Sequence, residues 1–151
     1  MIPYTLPDHL LENLLHDDAP CGDATTLALG IGECAGRMVI RARHEIIFCG
    51  SEEARRMGEL RGLRVAGEVV ASGQRLAAGT EILTLTGPAS ALHAVWKTAQ
   101  TLMEYLSGIA TATAAIAAAA RCALLAGEAL PDPRFDITTT LCKIRDLFSR
   151  H

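Results

Sequence analysis

Among the side chains that could do chemistry, Lys97 has the most ordered setting. Only two lysines occur in the chain, Lys97 and Lys143. Around Lys97 the run LHAVWKTAQTLMEYL reads as an amphipathic helix: Leu92, Val95, Trp96, Ala99, Leu102, Met103 and Leu106 form a wide apolar stripe. The opposite face carries His93, Lys97, Gln100, Thr101 and Glu104. Lys97, Gln100 and Glu104 are neighbours there by i+3 and i+4 spacing. Two readings follow for the lysine. It is either a solvated cation paired with Glu104 or Gln100, or a cation that a rigid helix holds out toward an anionic ligand.

The second candidate is YLSGIATATAAIAAAARC, Tyr105 to Cys122. Alanine has the highest helix propensity, so the run should be helical. Its large apolar side chains are few, and Ser107-Gly108 predicts an interruption near its start. Small side chains let another backbone or a ligand come close. One reading is tight helix-on-sheet or helix-on-helix packing. The other sets the break at Ser107-Gly108 and the threonines beside a bound anion, because backbone N–H groups at a helix start can face such a ligand.

Beyond these, no catalytic constellation stands out. No Walker loop, GxSxG, HExxH or dinucleotide fingerprint is present. Each histidine reads as a surface or satisfied core residue. The five cysteines, Cys21, Cys34, Cys49, Cys122 and Cys142, form no CxxC pair. They read as reduced cytoplasmic thiols packed as small hydrophobes, with no metal site expected. A net charge of −3 and a pI of about 5.9 argue against a nucleic-acid partner, which wants a basic surface. The uncharged run Leu106 to Ala120 is 15 residues long and interrupted by Ser107, Gly108, Thr111 and Thr113. A membrane span needs about 18–20 strongly apolar residues, so the expectation is a buried soluble helix and no membrane partner. The start MIPYTLPDHLLENLL lacks the basic region of a signal peptide.

The elements that must position these residues are legible in outline. PDHLLENLLHD predicts a first helix with Leu10, Leu11, Leu14 and Leu15 on one face and Pro7 in its first turn. DDAPCGDATT reads as a loop. Met38, Ile40 and Ala42 alternate with Arg37, Val39, Arg41 and Arg43, which marks a strand, and Ile46 to Cys49 reads as a second one. SEEARRMGELRG predicts a helix with Ser51 as its N-cap and Gly62 as its stop. LRVAGEVV, SGQRLAAG and TEILTLTGP read as short strands of one compact antiparallel sheet, with turns at Gly67, Gly73, Gly79 and Gly87. Pro88 closes the β region and Ser90 is placed to cap the helix that bears Lys97. Gly127, Pro131 and Pro133 end the alanine run, and ITTTLCKIRDLFSRH has weak helical character.

GDATT (Gly22 to Thr26), CGSEEA and SGQRLAAGTEILTLTGPASALHAVWKTAQTLMEYLSGIATATAAI together resemble the N-terminal half of the type II phosphoribosyltransferases. This is the nicotinate-nucleotide pyrophosphorylase (quinolinate phosphoribosyltransferase) family. The resemblance covers roughly residues 5–122. Its most specific part is L-x-x-x-W-K-x-x-Q-x-L-x-E-Y-x-S-G-I-A-T-x-T, Leu92 to Thr113. The resemblance implies an α+β fold: an α/β sandwich N-terminal domain over 1–107, then over 108–126 the first helix of an α/β barrel that is missing or truncated. The tail 127–151 is divergent. It also implies transfer of the ribosyl phosphate of phosphoribosyl pyrophosphate to a nitrogen-heterocycle acid, with pyrophosphate release and magnesium.

The same resemblance implies a cytoplasmic homodimer or higher homo-oligomer in which one subunit's sandwich covers the other's barrel. The small-residue run is then a seam between domains. Pyridine-specific members have Glu-Arg where this chain has Trp96-Lys97, and that arginine reaches a substrate carboxylate in the neighbouring subunit. Lys97 takes its place. A lysine cannot make the planar bidentate pair with a carboxylate, so a small anionic substrate is implied but quinolinate is not. Where the family has Thr-Arg-Lys-Thr, this chain reads Asp136-Ile137-Thr138-Thr139-Thr140-Leu141, with neither cation. The implied consequence is a chain that is inactive alone and holds no cofactor by itself. The competing reading is a non-catalytic binding or dimerisation module.

Overall fold

The computed structural model describes residues 5–18 and 22–125. The expectations for Lys143, Cys21, Cys142 and the tail 127–151 lie outside these residues, as does the side chain of Cys122. Elements run α1 (Asp8–Asp18), α2 (Ala24–Leu29), β1 (Ala35–Arg41), β2 (Ile46–Ile47), α3 (Ser51–Leu60), β3 (Arg64–Val65), β4 (Arg75–Leu76), β5 (Glu81–Pro88) and α4 (Ala89–Leu125). The chain divides into two compact units, Met1–Thr111 and Ala112–His151. The coarse expectation of a mixed α+β fold with antiparallel pairing holds.

The single sheet expected from the glycine rhythm is instead two. One has the order β1-β5-β3 and the other pairs β2 with β4, all antiparallel. β5 is the central strand of the first, so it needs apolar side chains on both faces. Ile82, Leu83, Thr84 and Leu85 are consecutive buried residues in it. Gly67, Gly73 and Gly79 do adopt positive φ in turns, but Gly87 lies inside β5, opposite Gly36 on β1. A Cβ at Gly36 would come within 2.7 Å of Leu92, and one at Gly87 within 2.6 Å of Leu63. Those two glycines serve close packing rather than a turn.

The core joins Leu11 and Leu15 of α1, Ala54 and Met57 of α3, Leu83 and Leu85 of β5, and Leu92, Val95, Ala99 and Met103 of α4. Burying each leucine, valine or methionine among them contributes about 1.5–3 kcal/mol. The helical spacing of these residues was readable; the flanks were less so. Leu14 and Trp96, both assigned to apolar stripes, are 38% and 49% exposed. α1 is tied to α3 by a two-pronged Arg56–Asp8 pair at 2.7 and 2.8 Å, and the Leu6 N–H donates to Glu53 at 3.3 Å.

Three helix boundaries differ from expectation. Asp23 caps a short helix inside the presumed loop: it accepts from the Thr26 N–H, and Gly30 ends the helix at φ 63°. α3 is preceded by Gly50 at φ 106° with no side-chain cap, so Ser51 sits one place inside the helix. α4 begins at Ala89, and Ser90 donates its hydroxyl to the Gly32 carbonyl instead of capping.

The expected break at Ser107-Gly108 does not occur, since α4 is one helix of 37 residues. A helical glycine costs only about 1 kcal/mol relative to alanine, and Ser107 is anchored by hydrogen bonds described below. Nor is the alanine run buried. Ala89–Ala119 is long and apolar enough to cross a membrane by length and composition, yet only 11% of its most apolar stretch is enclosed. Its first half presents a packed apolar stripe and a polar, hydrogen-bonded face, as a core helix of a folded domain does.

Candidate functional site

α4 carries two clusters, one on its outward face and one packed against the segment that contains β2. At its start, the cap of α2 meets His93. Asp23 Oδ2 accepts from the Thr26 N–H at 2.7 Å and from the Thr26 hydroxyl, and His93 Nδ1 lies 3.0 Å from both Asp23 Oδ2 and Thr26 Oγ1. The Thr26 hydroxyl, then His93, then the Thr26 N–H hold the Asp23 carboxyl down at about 2. Hydrogen bonds to the ionised form dominate here. One turn along, Thr98 donates its hydroxyl to Asp18 at 3.0 Å. Beside the cap lies an open cavity of about 380 Å³, lined by Asp23, Thr26, Leu27, Glu33 and Ser90 among others.

Lys97 is exposed on this face. The bland expectation paired it with Glu104 or Gln100; instead those two bond to each other, Gln100 Nε2 donating to Glu104 at 2.8 Å. Among the described residues Lys97 makes no ion pair, whereas Arg37, Arg41, Arg55, Arg56 and Arg75 each do. Thr101 is exposed as expected.

The second cluster corrects the anion-site reading of the small-residue run. The Ser107 hydroxyl accepts from the Cys49 N–H at 3.0 Å and donates to the Cys49 carbonyl at 3.2 Å. The Thr111 hydroxyl does the same for Ile47, at 2.9 and 3.4 Å. Four helical residues rise about 6.0 Å and two strand residues about 6.6 Å, so i, i+4 hydroxyls match alternate strand residues. On its other side the strand bonds to the β4 segment, with Phe48 N–H donating to the Gln74 carbonyl at 2.8 Å. Ser107 and Thr111 therefore close a sheet edge. They are not aimed at a ligand. Beyond them Ala112, Ala115, Ile116, Ala118 and Ala119 are exposed, and a Cβ at Gly108 would meet nothing within 4 Å.

Sequence reasoning missed His93, which was assigned only a surface role, and Asp23, which was placed in a loop. The signal was available in part. Asp23 and Thr26 are spaced as a capping acceptor and its N–H donor, and His93 precedes Lys97 by one turn. No spacing, however, links Asp23 to His93 across 70 positions. Cys34 is exposed and Cys49 half-buried, both as free thiols. Among the described residues no three His, Cys, Asp or Glu side chains gather to hold a metal.

Residues 23–107 match the family model described as the quinolinate phosphoribosyl transferase N-terminal domain. The protein ModD of Rhodobacter capsulatus, designated a pyrophosphorylase, is 41% identical over 118 residues, 78% of this chain and 45% of that protein. ModD of Pasteurella multocida is 32% identical over 108 residues, covering 71% and 38%. The chain thus spans less than half the length of these relatives. NadC from Streptococcus pyogenes shares the fold, with a TM-score of 0.71 at 23% identity over 78% of this chain and 44% of that one. The nicotinate-nucleotide pyrophosphorylase of Francisella tularensis gives 0.65 at 22% identity, covering 74% and 41%. By the match over 23–107, this chain belongs to the quinolinate phosphoribosyl transferase family, whose N-terminal domain it carries.

Proposed function

We propose that this domain serves a phosphoribosyl transfer of the ModD-like kind. The ribosyl phosphate of phosphoribosyl pyrophosphate passes to a nitrogen-heterocycle acid and pyrophosphate leaves. The chain supplies the substrate-covering part and not the reaction centre, so it is inactive alone. Lys97 is the residue assigned to the substrate. It reaches an anionic group in a neighbouring subunit of a cytoplasmic homodimer or higher homo-oligomer.

The observation that carries this reading is the exposed Lys97, which makes no ion pair among the described residues although its helix is otherwise well supplied with partners, inside the segment that matches the family. A point cation attracts an anion without demanding bidentate geometry, which suits an acid other than a pyridine dicarboxylate. The magnesium that accompanies the diphosphate substrate has no cluster of three acidic, His or Cys side chains among the described residues, and no step is assigned to it here.

The test is pyrophosphate release from phosphoribosyl pyrophosphate by the purified chain, with magnesium and a panel of heterocyclic acids. No turnover is expected; measurable release overturns the assignment of the chemistry to residues outside this domain. A second reading, a non-catalytic dimerisation module, draws on the exposed Trp96 and Ile116. Sedimentation showing a strict monomer at high concentration counts against it, and against the assembly proposed for Lys97.

A further inference from the structure

His93 stands one turn before Lys97 on the same helix face, so their Cβ atoms are about 5–6 Å apart. Its ring is fixed. Nδ1 lies 3.0 Å from Asp23 Oδ2 and 3.0 Å from Thr26 Oγ1, while the Thr26 hydroxyl also binds Asp23 Oδ2. The threonine proton is used on the carboxylate, and an ionised carboxylate can only accept. The remaining contact with Asp23 therefore needs a proton on Nδ1. That tautomer leaves Nε2 as the free edge of the ring, a lone pair in the neutral form and a second N–H donor in the imidazolium. Among the described residues Nε2 has no hydrogen-bond partner, and the side chain is 41% exposed. A histidine held this way by a carboxylate has the arrangement that orients an imidazole toward a ligand.

We infer that His93 and Lys97 form a two-point subsite for a single oxyanionic group, phosphate or carboxylate, with Asp23 as the positioning residue that orients the imidazole. The anion rests on the reading of Lys97 given above; the fixed ring does not. Charged neighbours among the described residues include Asp23 on His93, Asp18 bonded to Thr98 beside Lys97, and Glu33 in the lining of the cavity beside the α2 cap. Asp23 compensates the imidazolium charge, so Lys97 supplies the net positive charge that draws the anion in. Two donors from one rigid helix restrict the orientation of the bound group as well as attracting it, which a lone exposed lysine does not do.

The test uses the full chain labelled with ¹⁵N-histidine, titrated with inorganic phosphate and separately with phthalate at about pH 6. The expected result is a saturable shift of the His93 Nε2 resonance that His9, His16, His44 and His151 do not share. Which of the two anions saturates first tells phosphate from carboxylate. His93→Gln and Lys97→Met should each weaken binding by about tenfold, the scale of one charge-assisted hydrogen bond. Asp23→Asn keeps an efficient helix cap, so it should move the ring's tautomer signature and weaken binding about threefold without loss of helix. No saturable shift with either anion, or equal shifts at every histidine, overturns the subsite. If Lys97→Met abolishes binding and His93→Gln does not change it, the subsite fails and the Lys97 reading stands. If only His93→Gln acts, both fail.

Discussion

The two halves of α4 differ in what holds them. From Leu92 to Ser107 the helix buries Leu92, Val95, Ala99, Met103 and Ser107 at three- and four-residue intervals, against side chains of the same unit. From Ala112 to Ala119 it is exposed or half-exposed all round, with Ile116 at 43%. Both halves are helical, so backbone propensity does not distinguish them. The first is specified by its tertiary partners. The second is specified by alanine, whose side chain loses no rotamer freedom in a helix. Small residues can thus persist in a helix for two unrelated reasons, and only exposure tells them apart.

The sharpest test of the contrast is in the buried half. Met103→Ala should cost about 2–5 kcal/mol in urea unfolding followed by circular dichroism, the range for deleting a buried side chain of this size. A loss below 1 kcal/mol would mean that the stripe is not packed as described. Ser107→Ala comes next. It leaves the Cys49 N–H and carbonyl without their α4 partner, at an expected cost of about 1–3 kcal/mol. A neutral result would show that water replaces the hydroxyl and that the strand edge is open.

Gly108→Ala should act in the opposite direction. The added methyl meets nothing within 4 Å, so the domain should gain about 0.5–1 kcal/mol from the smaller entropy of the unfolded chain. Destabilisation there would show that another surface already lies against the glycine in solution. Ile116→Ala, in the exposed half, should stay within about 0.5 kcal/mol. A larger loss would mean that the second half is covered after all.

The smallest effect is one of pH. The Asp23 carboxyl is held at about 2 in the fold, below the ordinary 3.8. Its contribution is fully present above the ordinary value and disappears as pH falls through about 2, because the unfolded chain binds the proton first. Comparing the urea midpoint of the parent with Asp23→Asn should show the variant lacking this part of the acid loss. Burial pushes Glu53 the other way, so its contribution is present at low pH and lost as pH rises through its raised value. The two slopes can be separated by repeating the comparison with Glu53→Gln.

Much of the architecture was visible in the residue pattern. The apolar interval in α1 and α4, the alternation in β1 and the glycine turns at 67, 73 and 79 follow from the 3.6- and 2-residue periods and from φ preferences. Local patterns failed where a distant group took over. Asp23 turned a presumed loop into a capped helix and also reached His93, and Ser107 was recruited by Cys49 where a helix break was expected. Gly87 looked like a turn and proved to be the place where Leu63 lies against β5.

By itself the sequence determined which segments could be helix or strand, the family to which the run Leu92 to Thr113 pointed, and Lys97 as the cation to examine. Those depend on side-chain period, intrinsic propensity and residue type, all of which are local. Tertiary structure alone decided that Ser107 and Thr111 close a strand edge and that Asp23 fixes the ring of His93. Hydrogen bonds act over about 3 Å in space and are indifferent to separation along the chain, so no reading of neighbours in sequence could have paired those groups.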